Sequence, residues 1–172
     1  AYPFGHGLSY TTFTMTMMRP PTLDGLGGLS FSVSVANTGG VAGKEVAQVY
    51  LTFPDYGLLG EPERVLRAFQ KTPTLPPGAA VTLNFSLSSR DLSVWNPCGA
   101  GGGGLIPGYV CAPTGVGWLR VGGTFTVHVG ASSRDPNSTR HDVTVVGSVV
   151  APPRPPAFPP RRGASHHAIM SC

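Results

Sequence analysis

The stretch Leu29-Ser-Phe-Ser-Val-Ser-Val-Ala-Asn-Thr-Gly-Gly40, followed by Val46-Ala-Gln-Val-Tyr-Leu-Thr-Phe53, decides the fold of this chain. Every second residue is apolar in both runs, and this period predicts β-strands with one face buried and one face, serine-bearing in the first run, in solvent. We expect the two strands to form a central hairpin about Asn37–Gly40. Because each strand hides only one face, a second sheet must cover it, and the chain is predicted to be an antiparallel β-sandwich.

The composition agrees with this interpretation. The 172 residues include 24 glycines and 18 prolines, and only 12% are charged. Such a mixture favours strands and turns over helices, and the length fits one sandwich with additional segments. The net charge of +4 comes without a basic stripe interleaved with aromatic residues, which argues against nucleic-acid binding. No apolar run reaches the roughly 18 residues that a membrane-spanning helix needs.

Alternation outside the central hairpin brings the predicted total to about seven strands. The further strands are Phe13–Met17, which we expect Pro20-Pro21 to end, an edge strand at Val65–Lys71, Val81–Leu87, a strand with Phe125, Val127 and Val129 inward, and Val143–Val150. His128 falls on the polar face of its strand, where we expect a solvated or interface histidine.

Composition also divides the chain into segments. Residues 1–10 carry glycines and aromatic residues without strand periodicity, residues 11–150 hold the predicted domain with a glycine-rich insertion at 97–117, and residues 151–172 are rich in proline and arginine. The insertion is predicted to be a flexible surface loop, and the tail to be extended and disordered because proline cannot join a strand ladder. Since the chain begins at Ala1 without a signal peptide, we expect it to be a fragment of a longer protein.

Four blocks of sequence resemble the C-terminal fibronectin type III-like domain of family 3 glycoside hydrolases, the β-glucosidases and β-xylosidases. They are Tyr2–Phe13, Val35–Tyr50, Arg90–Ser93 and Gly123–Ser133. The first block contains Pro-Phe-Gly-His-Gly-Leu-Ser-Tyr, which in that family looks like the hinge between the α/β domain and the fibronectin-like domain. The resemblance implies an immunoglobulin/fibronectin III-like sandwich, with residues 1–10 as the hinge from a missing catalytic domain. The hinge is slightly more similar to xylosidase-type members.

This resemblance implies a non-catalytic accessory domain that packs against the catalytic domains of its parent glycosidase and stabilises them. The parent would be a secreted enzyme of the extracellular space or cell wall that acts on cell-wall glycans, with xylan catabolism among its expected roles. Retaining glycosidases need two carboxylates about 5 to 5.5 Å apart. The family nucleophile is an aspartate in a Ser-Asp-Trp-like motif, and none of the aspartates here has that context: Asp24, Asp55, Asp91, Asp135 and Asp142. We expect no catalytic residue, cofactor or metal site in this chain.

The hinge itself is a predicted domain interface. It places large side chains close together, more than one sandwich can bury, together with a histidine between two glycines: Tyr2, Phe4, His6, Leu8 and Tyr10. We expect the catalytic domains of the parent to cover part of this set.

Two covalent modifications are expected in a secreted parent. Cys98 and Cys111 are predicted to form a disulfide that closes the glycine-rich insertion, which leaves Cys172 over. Asn84 and Asn137 begin acceptor sequons for N-glycosylation, and we expect Asn137 to be used more readily because it lies in a polar turn.

An alternative function comes from the two tryptophans that flank the insertion. Trp95 and Trp118 are able to stack on sugar rings, although tryptophan in a sandwich is more often part of the core or of a domain interface. In this alternative the chain is a free-standing module that binds cell-wall glycan or a protein.

Overall fold

The computed structural model describes residues 1–54, 61–96 and 117–146. Within these ranges it contains nine strands and a single 3₁₀ turn at Ser89–Leu92, and the strand pairs are antiparallel. The strands are β1 (Phe13–Leu23), β2 (Leu29–Asn37), β3 (Val46–Thr52), β4 (Val65–Lys71), β5 (Ala80–Leu87), β6 (Ser93–Asn96), β7 (Gly117–Arg120), β8 (Gly123–Gly130) and β9 (Thr139–Val145). The predicted all-β fold class is confirmed.

Seven strands form two sheets, in the orders β1-β2-β5 and β4-β3-β8-β9, and β6 pairs with β7 in a separate ribbon. The predicted central hairpin is wrong, because β2 and β3 lie in different sheets. Alternation reports that one face of each strand is buried, but it does not identify the neighbouring strand. The residues between β2 and β3 therefore form a crossover from one sheet to the other.

Side chains from both sheets make one hydrophobic core. Phe31 and Phe85 are cross-strand partners in the first sheet and stack with ring centroids 5.4 Å apart. Phe53 and Phe125 meet edge-to-face in the second sheet at 5.0 Å. Burial of each such ring contributes about 1.5–3 kcal/mol, so these pairs account for much of the stability of the sandwich.

The crossover is organised by Asn37, whose side chain is fully buried at the end of β2. Its amide nitrogen donates to the carbonyl oxygens of Val41 and Leu75, both at 2.8 Å, and its side-chain oxygen accepts from the Thr11 hydroxyl at 2.7 Å. The backbone N–H of Gly39 is a further donor to the same oxygen, at 3.1 Å. One asparagine thus ties the start of β1, the crossover and the loop before β5 together.

Strand β1 differs from its prediction because it continues through Pro20-Pro21 to Leu23. The register against β2 shifts between Met17 and Arg19 and again between Arg19 and Thr22. β1 is an edge strand, and irregular positions of an edge strand tolerate residues that lack a backbone N–H. The prolines therefore interrupt the ladder without ending the strand.

Three smaller differences concern burial and strand bounds. Ser32 is only 9% exposed, because β2 has neighbours on both sides that partly shield its outward face. β9 begins at Thr139, four residues before the predicted start, and residues 147–150 lie outside the described part of the chain. β6 was not predicted as a strand, since four residues are too few for a periodic signal.

Candidate functional site

The N-terminal segment, residues 1–10, lies on the outer face of the four-stranded sheet. The carbonyl oxygen of Phe4 accepts a hydrogen bond from the Ser133 N–H at 2.9 Å. The carbonyl oxygen of Gly5 accepts from the side-chain amide of Gln48 at 3.0 Å. Main-chain carbonyl groups therefore attach the segment to the domain.

Beneath the segment, the outward face of β3 holds a buried polar pair. Gln48 and Tyr50 are only 8% and 2% exposed, although they point away from the core. The Tyr50 hydroxyl donates to Gln48 Oε1 at 2.5 Å, and Gln48 Nε2 donates to the Ala131 carbonyl oxygen at 2.7 Å. Burial raises the pKa of the Tyr50 phenol, which keeps it protonated and able to donate.

Gly5 fits this contact because it has no side chain. Its φ angle is +78°, which residues with a Cβ rarely adopt, and an added Cβ would clash with Gln48 Oε1. A Cβ added at Gly7, two residues later, would meet no atom within 4 Å. The two glycines of the hinge motif thus have different roles, and the first allows close approach to β3.

The predicted interface residues of the segment carry their side chains outward. Tyr2, Phe4, Leu8 and Tyr10 are all exposed, and Tyr10 is 100% exposed. The Tyr2 ring stacks on the His6 imidazole with centroids 4.8 Å apart. A groove of about 670 Å³ runs beside the segment and reaches Leu66 and Phe69 on β4. Phe69 is itself 70% exposed, so the apolar surface continues from the segment onto the sheet edge.

A second exposed aromatic group lies on the β6–β7 ribbon. Trp95 and Trp118 are directly opposite in the register, with ring centroids 5.4 Å apart and an interplanar angle of 70°. They are 48% and 47% exposed, and the Arg90 guanidinium lies 4.4 Å from the Trp118 ring centroid. The structure therefore brings together the two tryptophans that the sequence placed on either side of the insertion.

The expectation of a solvated His128 is wrong, because this side chain is only 7% exposed. The Thr52 hydroxyl donates its single proton to the Glu63 carbonyl oxygen at 2.8 Å, so the 3.2 Å contact between Thr52 and His128 needs Nε2–H of the imidazole as donor. Burial lowers the pKa of His128, and the positive charges of Arg64 and Arg140 lower it further. Thr52, Glu63 and Arg64 therefore lie near this histidine, which the strand pattern alone did not indicate.

Two of the described carboxylates bind local groups of their own turns. Asp91 Oδ2 accepts from the Ser88 N–H and hydroxyl, both at 2.7 Å, and Asp135 accepts from the Ala131 and Asn137 N–H groups, both at 2.9 Å. Glu45 is half-buried, and desolvation raises its pKa. Residues 1–54, 61–96 and 117–146 contain no cluster of three or more His, Cys, Asp or Glu side chains with metal-site geometry.

Several predicted features lie outside the described residues. Others lie at the surface, and their predicted roles stay predictions. Cys98, Cys111 and Asp55 belong to the first group, together with most of the insertion and the whole tail. Asn84 and Asn137 are both exposed, so the structure places each sequon at the surface. No helix in the described ranges has the length and apolar character to cross a membrane.

The two packed sheets and the exposed aromatic residues place this chain in the class of all-β sandwich domains. The family model of the fibronectin type III-like domain matches residues 45–133. The chain belongs to this family, and the resemblance inferred from its four sequence blocks is confirmed.

The relatives are much longer than this chain. It is 38% identical over 152 residues to a probable β-glucosidase D of Aspergillus niger and 35% identical over 154 residues to a probable β-glucosidase G of Aspergillus flavus, with 78% of the chain aligned in each case. These alignments span 18% and 17% of the two relatives.

Solved structures of β-glucosidases also match most of this chain over a small part of their own length. A β-glucosidase 3B of Thermotoga neapolitana, in complex with α-D-glucose, superposes with a TM-score of 0.66 at 36% identity, over 84% of this chain and 17% of that one. A GH3 β-glucosidase of Bifidobacterium adolescentis superposes with a TM-score of 0.68 at 29% identity, over 91% and 20%. The domain thus corresponds to a small part of each enzyme.

Proposed function

We propose that this chain is the non-catalytic accessory domain of a secreted family 3 glycoside hydrolase, and that it packs against the catalytic domains through its N-terminal segment and stabilises them. The observation that carries the proposal is the arrangement of that segment. Its backbone is bound to the sandwich through Phe4 and Gly5, while its large side chains point away from it. A segment with this arrangement presents apolar surface to a second body without leaving its own domain.

The parent activity that we propose is β-glucosidase, acting on cell-wall glycans. Support comes from the printed names of the relatives and structural neighbours cited above, which are β-glucosidases. The similarity of the hinge to xylosidase-type members keeps β-xylosidase as the other candidate for the parent. The described carboxylates are hydrogen-bonded to local backbone or solvent-facing, so we expect the isolated chain to have no turnover on nitrophenyl glucoside or xyloside.

Sequencing the transcript upstream of the Ala1 codon tests whether this chain is part of a longer glycoside hydrolase. A reading frame that continues upstream of the Ala1 codon and encodes a glycoside hydrolase domain supports the proposal. A start codon and signal peptide directly upstream would contradict it and favour a free-standing module.

The interface is tested in the protein that this reading frame encodes. We expect Leu8→Ser and Phe4→Ser to lower the melting temperature of the longer enzyme and to leave that of the isolated chain nearly unchanged. Leu26→Ser is the matched control, since Leu26 is 91% exposed in the turn between β1 and β2. Equal effects of Leu8→Ser and Leu26→Ser on the longer enzyme would rule out an interface at the segment.

The second candidate, a glycan-binding module, is favoured by the half-exposed Trp95–Trp118 pair. An exposed indole face offers a sugar ring an apolar stacking surface, and the neighbouring Arg90 is a hydrogen-bond donor for hydroxyl groups. Retention of the chain on insoluble cellulose or xylan, lost in Trp95→Ala and kept in Phe69→Ala, would favour this candidate.

A further inference from the structure

A polar groove of about 800 Å³ lies on the outer face of the four-stranded sheet, next to the N-terminal segment. Its lining includes Arg64, Arg134 and Arg140, with His128, Ser133 and Ser138 beside them. No role was predicted for any of these arginines, because they are far apart in the sequence and none belongs to a motif.

The three arginines line the same groove although they belong to different elements of the fold. Arg140 lies directly opposite His128 in the β8–β9 register, so both share the outer face of the sheet. Arg64 Nη1 donates to the Ser133 carbonyl oxygen at 2.7 Å, which holds its guanidinium across the groove. Arg134 follows Ser133 in the loop after β8. Two sheet strands and two loops therefore form the groove.

The groove has a positive balance of charge. Glu63 and Asp135 are the acidic residues in its lining, against three arginines. Asp135 already accepts two backbone N–H groups, and Asp142, which lies beside Arg140 on β9, accepts the Thr126 hydroxyl at 2.7 Å. Within the described residues, none of the three guanidinium groups is part of an ion pair.

The pKa of the buried His128 is lowered first by burial and then by two of these arginines, which agrees with the charge balance of the groove. The positive charges of Arg64 and Arg140 each lower the pKa of His128 by more than Asp142 or Glu63 raises it. A neutral imidazole at this position is what a net positive potential favours. With three arginines against Glu63 and Asp135, the groove keeps a net positive charge that an anionic ligand would complement.

We propose that this groove binds an acidic sugar, a uronic acid or a sulfated residue of a glycan, through Arg64, Arg134 and Arg140. Guanidinium groups bind carboxylate and sulfate groups with two parallel hydrogen bonds, which sets the orientation of the ligand. The volume falls within the roughly 300–1,000 Å³ of small-molecule sites, and the serine hydroxyls suit a ligand rich in hydroxyl groups. The choice of a sugar rests on the proposed function, whereas the choice of an anion does not.

Calorimetric titration of the 172-residue chain tests the proposal. We expect trigalacturonate to bind, cellotriose of the same length to show no binding at this site, and inorganic sulfate to compete with trigalacturonate. Arg140→Gln and Arg134→Gln change exposed side chains and should each weaken trigalacturonate binding by about tenfold, as expected for loss of a charge-assisted hydrogen bond. Arg64→Gln should do the same, but it also removes the contact to Ser133.

The control is Arg19→Gln, because Arg19 is exposed on β1 of the other sheet. Equal weakening by Arg19→Gln and Arg140→Gln would mean non-specific attraction and would overturn the proposal. Absence of trigalacturonate binding, or capture of an acidic peptide by the same arginines in its place, would overturn it as well. A positive titration stands whatever the transcript shows about a parent enzyme, so the two proposals can fail separately.

Discussion

Gln48 and Gly5 are joined by a 3.0 Å hydrogen bond from the side-chain amide to the backbone carbonyl, across 43 positions of sequence. This bond makes the N-terminal segment part of the sandwich through its backbone. The exposed side chains of the segment are therefore held in place before any partner arrives, which reduces the ordering entropy that an interface must overcome.

The first prediction concerns Gly5. We expect Gly5→Ala to lower the free energy of unfolding of the isolated chain by about 1–3 kcal/mol, because the positive φ is strained for alanine and the Cβ meets Gln48. Gly7→Ala is the control and should be nearly neutral, since the added Cβ would meet no atom within 4 Å. Urea unfolding measures both, and a Gly7→Ala effect as large as that of Gly5→Ala would mean that the segment is not bound as described.

The second prediction concerns Asn37. We expect Asn37→Ala to cost about 2–4 kcal/mol, because it leaves the buried Leu75 carbonyl group, and the part-buried Val41 carbonyl group and Thr11 hydroxyl, without their partner. Asn84→Ala, on the exposed face of β5, provides the comparison in the same urea experiment. If the two variants unfold at the same urea concentration, Asn37 does not organise the crossover.

The third prediction tests the register of β5. Phe85 points into the core and Asn84 points outward, so adjacent substitutions by the same residue should differ greatly. We expect Phe85→Asp to prevent folding, because an unpaired charge in a core of this size exceeds the marginal stability of a small domain. Asn84→Asp should melt close to the unsubstituted chain. The reverse order in thermal melts would place β5 one residue out of register.

The fourth prediction is a dependence of stability on pH. The pKa of His128 is below its ordinary value of 6.5 in the folded chain, so below that pH the unfolded state binds a proton that the folded state excludes. Stability is therefore fully present above about pH 6.5 and decreases as the pH falls below this value. The charges facing the imidazole are Arg64, Arg140, Asp142 and Glu63.

Glu45 acts in the opposite direction at lower pH, since burial raises its pKa above 4.5 and its folded form favours the proton. His128→Gln should flatten the decrease between about pH 7 and pH 5, and His141→Gln, at an exposed position on β9, should leave it unchanged. Unfolding free energies at several pH values test this, and an unaltered slope in His128→Gln would refute the assignment.

The fifth prediction concerns the two cysteines of the insertion. In secreted material we expect a bond between Cys98 and Cys111, worth about 3 kcal/mol at most in the chain-entropy model. Mass spectrometry after digestion without reductant identifies the linked peptide. Two free thiols in secreted protein would remove the bridge and weaken the proposal of an oxidising compartment.

Much of the fold is predictable from the sequence because period-two alternation records burial directly. Val33, Phe85 and Val127 all lie inward, as their patterns indicate. Alternation does not indicate which strands are neighbours, and the predicted pairing of β2 with β3 was wrong for this reason. A strand pattern carries no information on which sheet its neighbour belongs to.

The candidate sites were predictable only in part. The aromatic residues of the hinge and the tryptophan pair were visible as residue types, and the structure shows them exposed. The burial of Gln48, Tyr50 and His128 on outward faces depends on segments that return from distant parts of the chain. The one local signal was that β3 carries no charged residue on its outward side, which is unusual for a strand in contact with water.

The prolines of β1 have a consequence for how this domain behaves beside other molecules. An edge strand normally offers a row of unpaired N–H and C=O groups on which another strand can assemble. Pro20 and Pro21 have no N–H, and because successive residues of a strand alternate in direction, they remove a donor from this row as well as one from the side that faces β2; together with the adjacent register shifts this makes the border of the sheet a poor template for extension. Crowded copies of the domain can therefore touch along β1 without their sheets fusing into a continuous one.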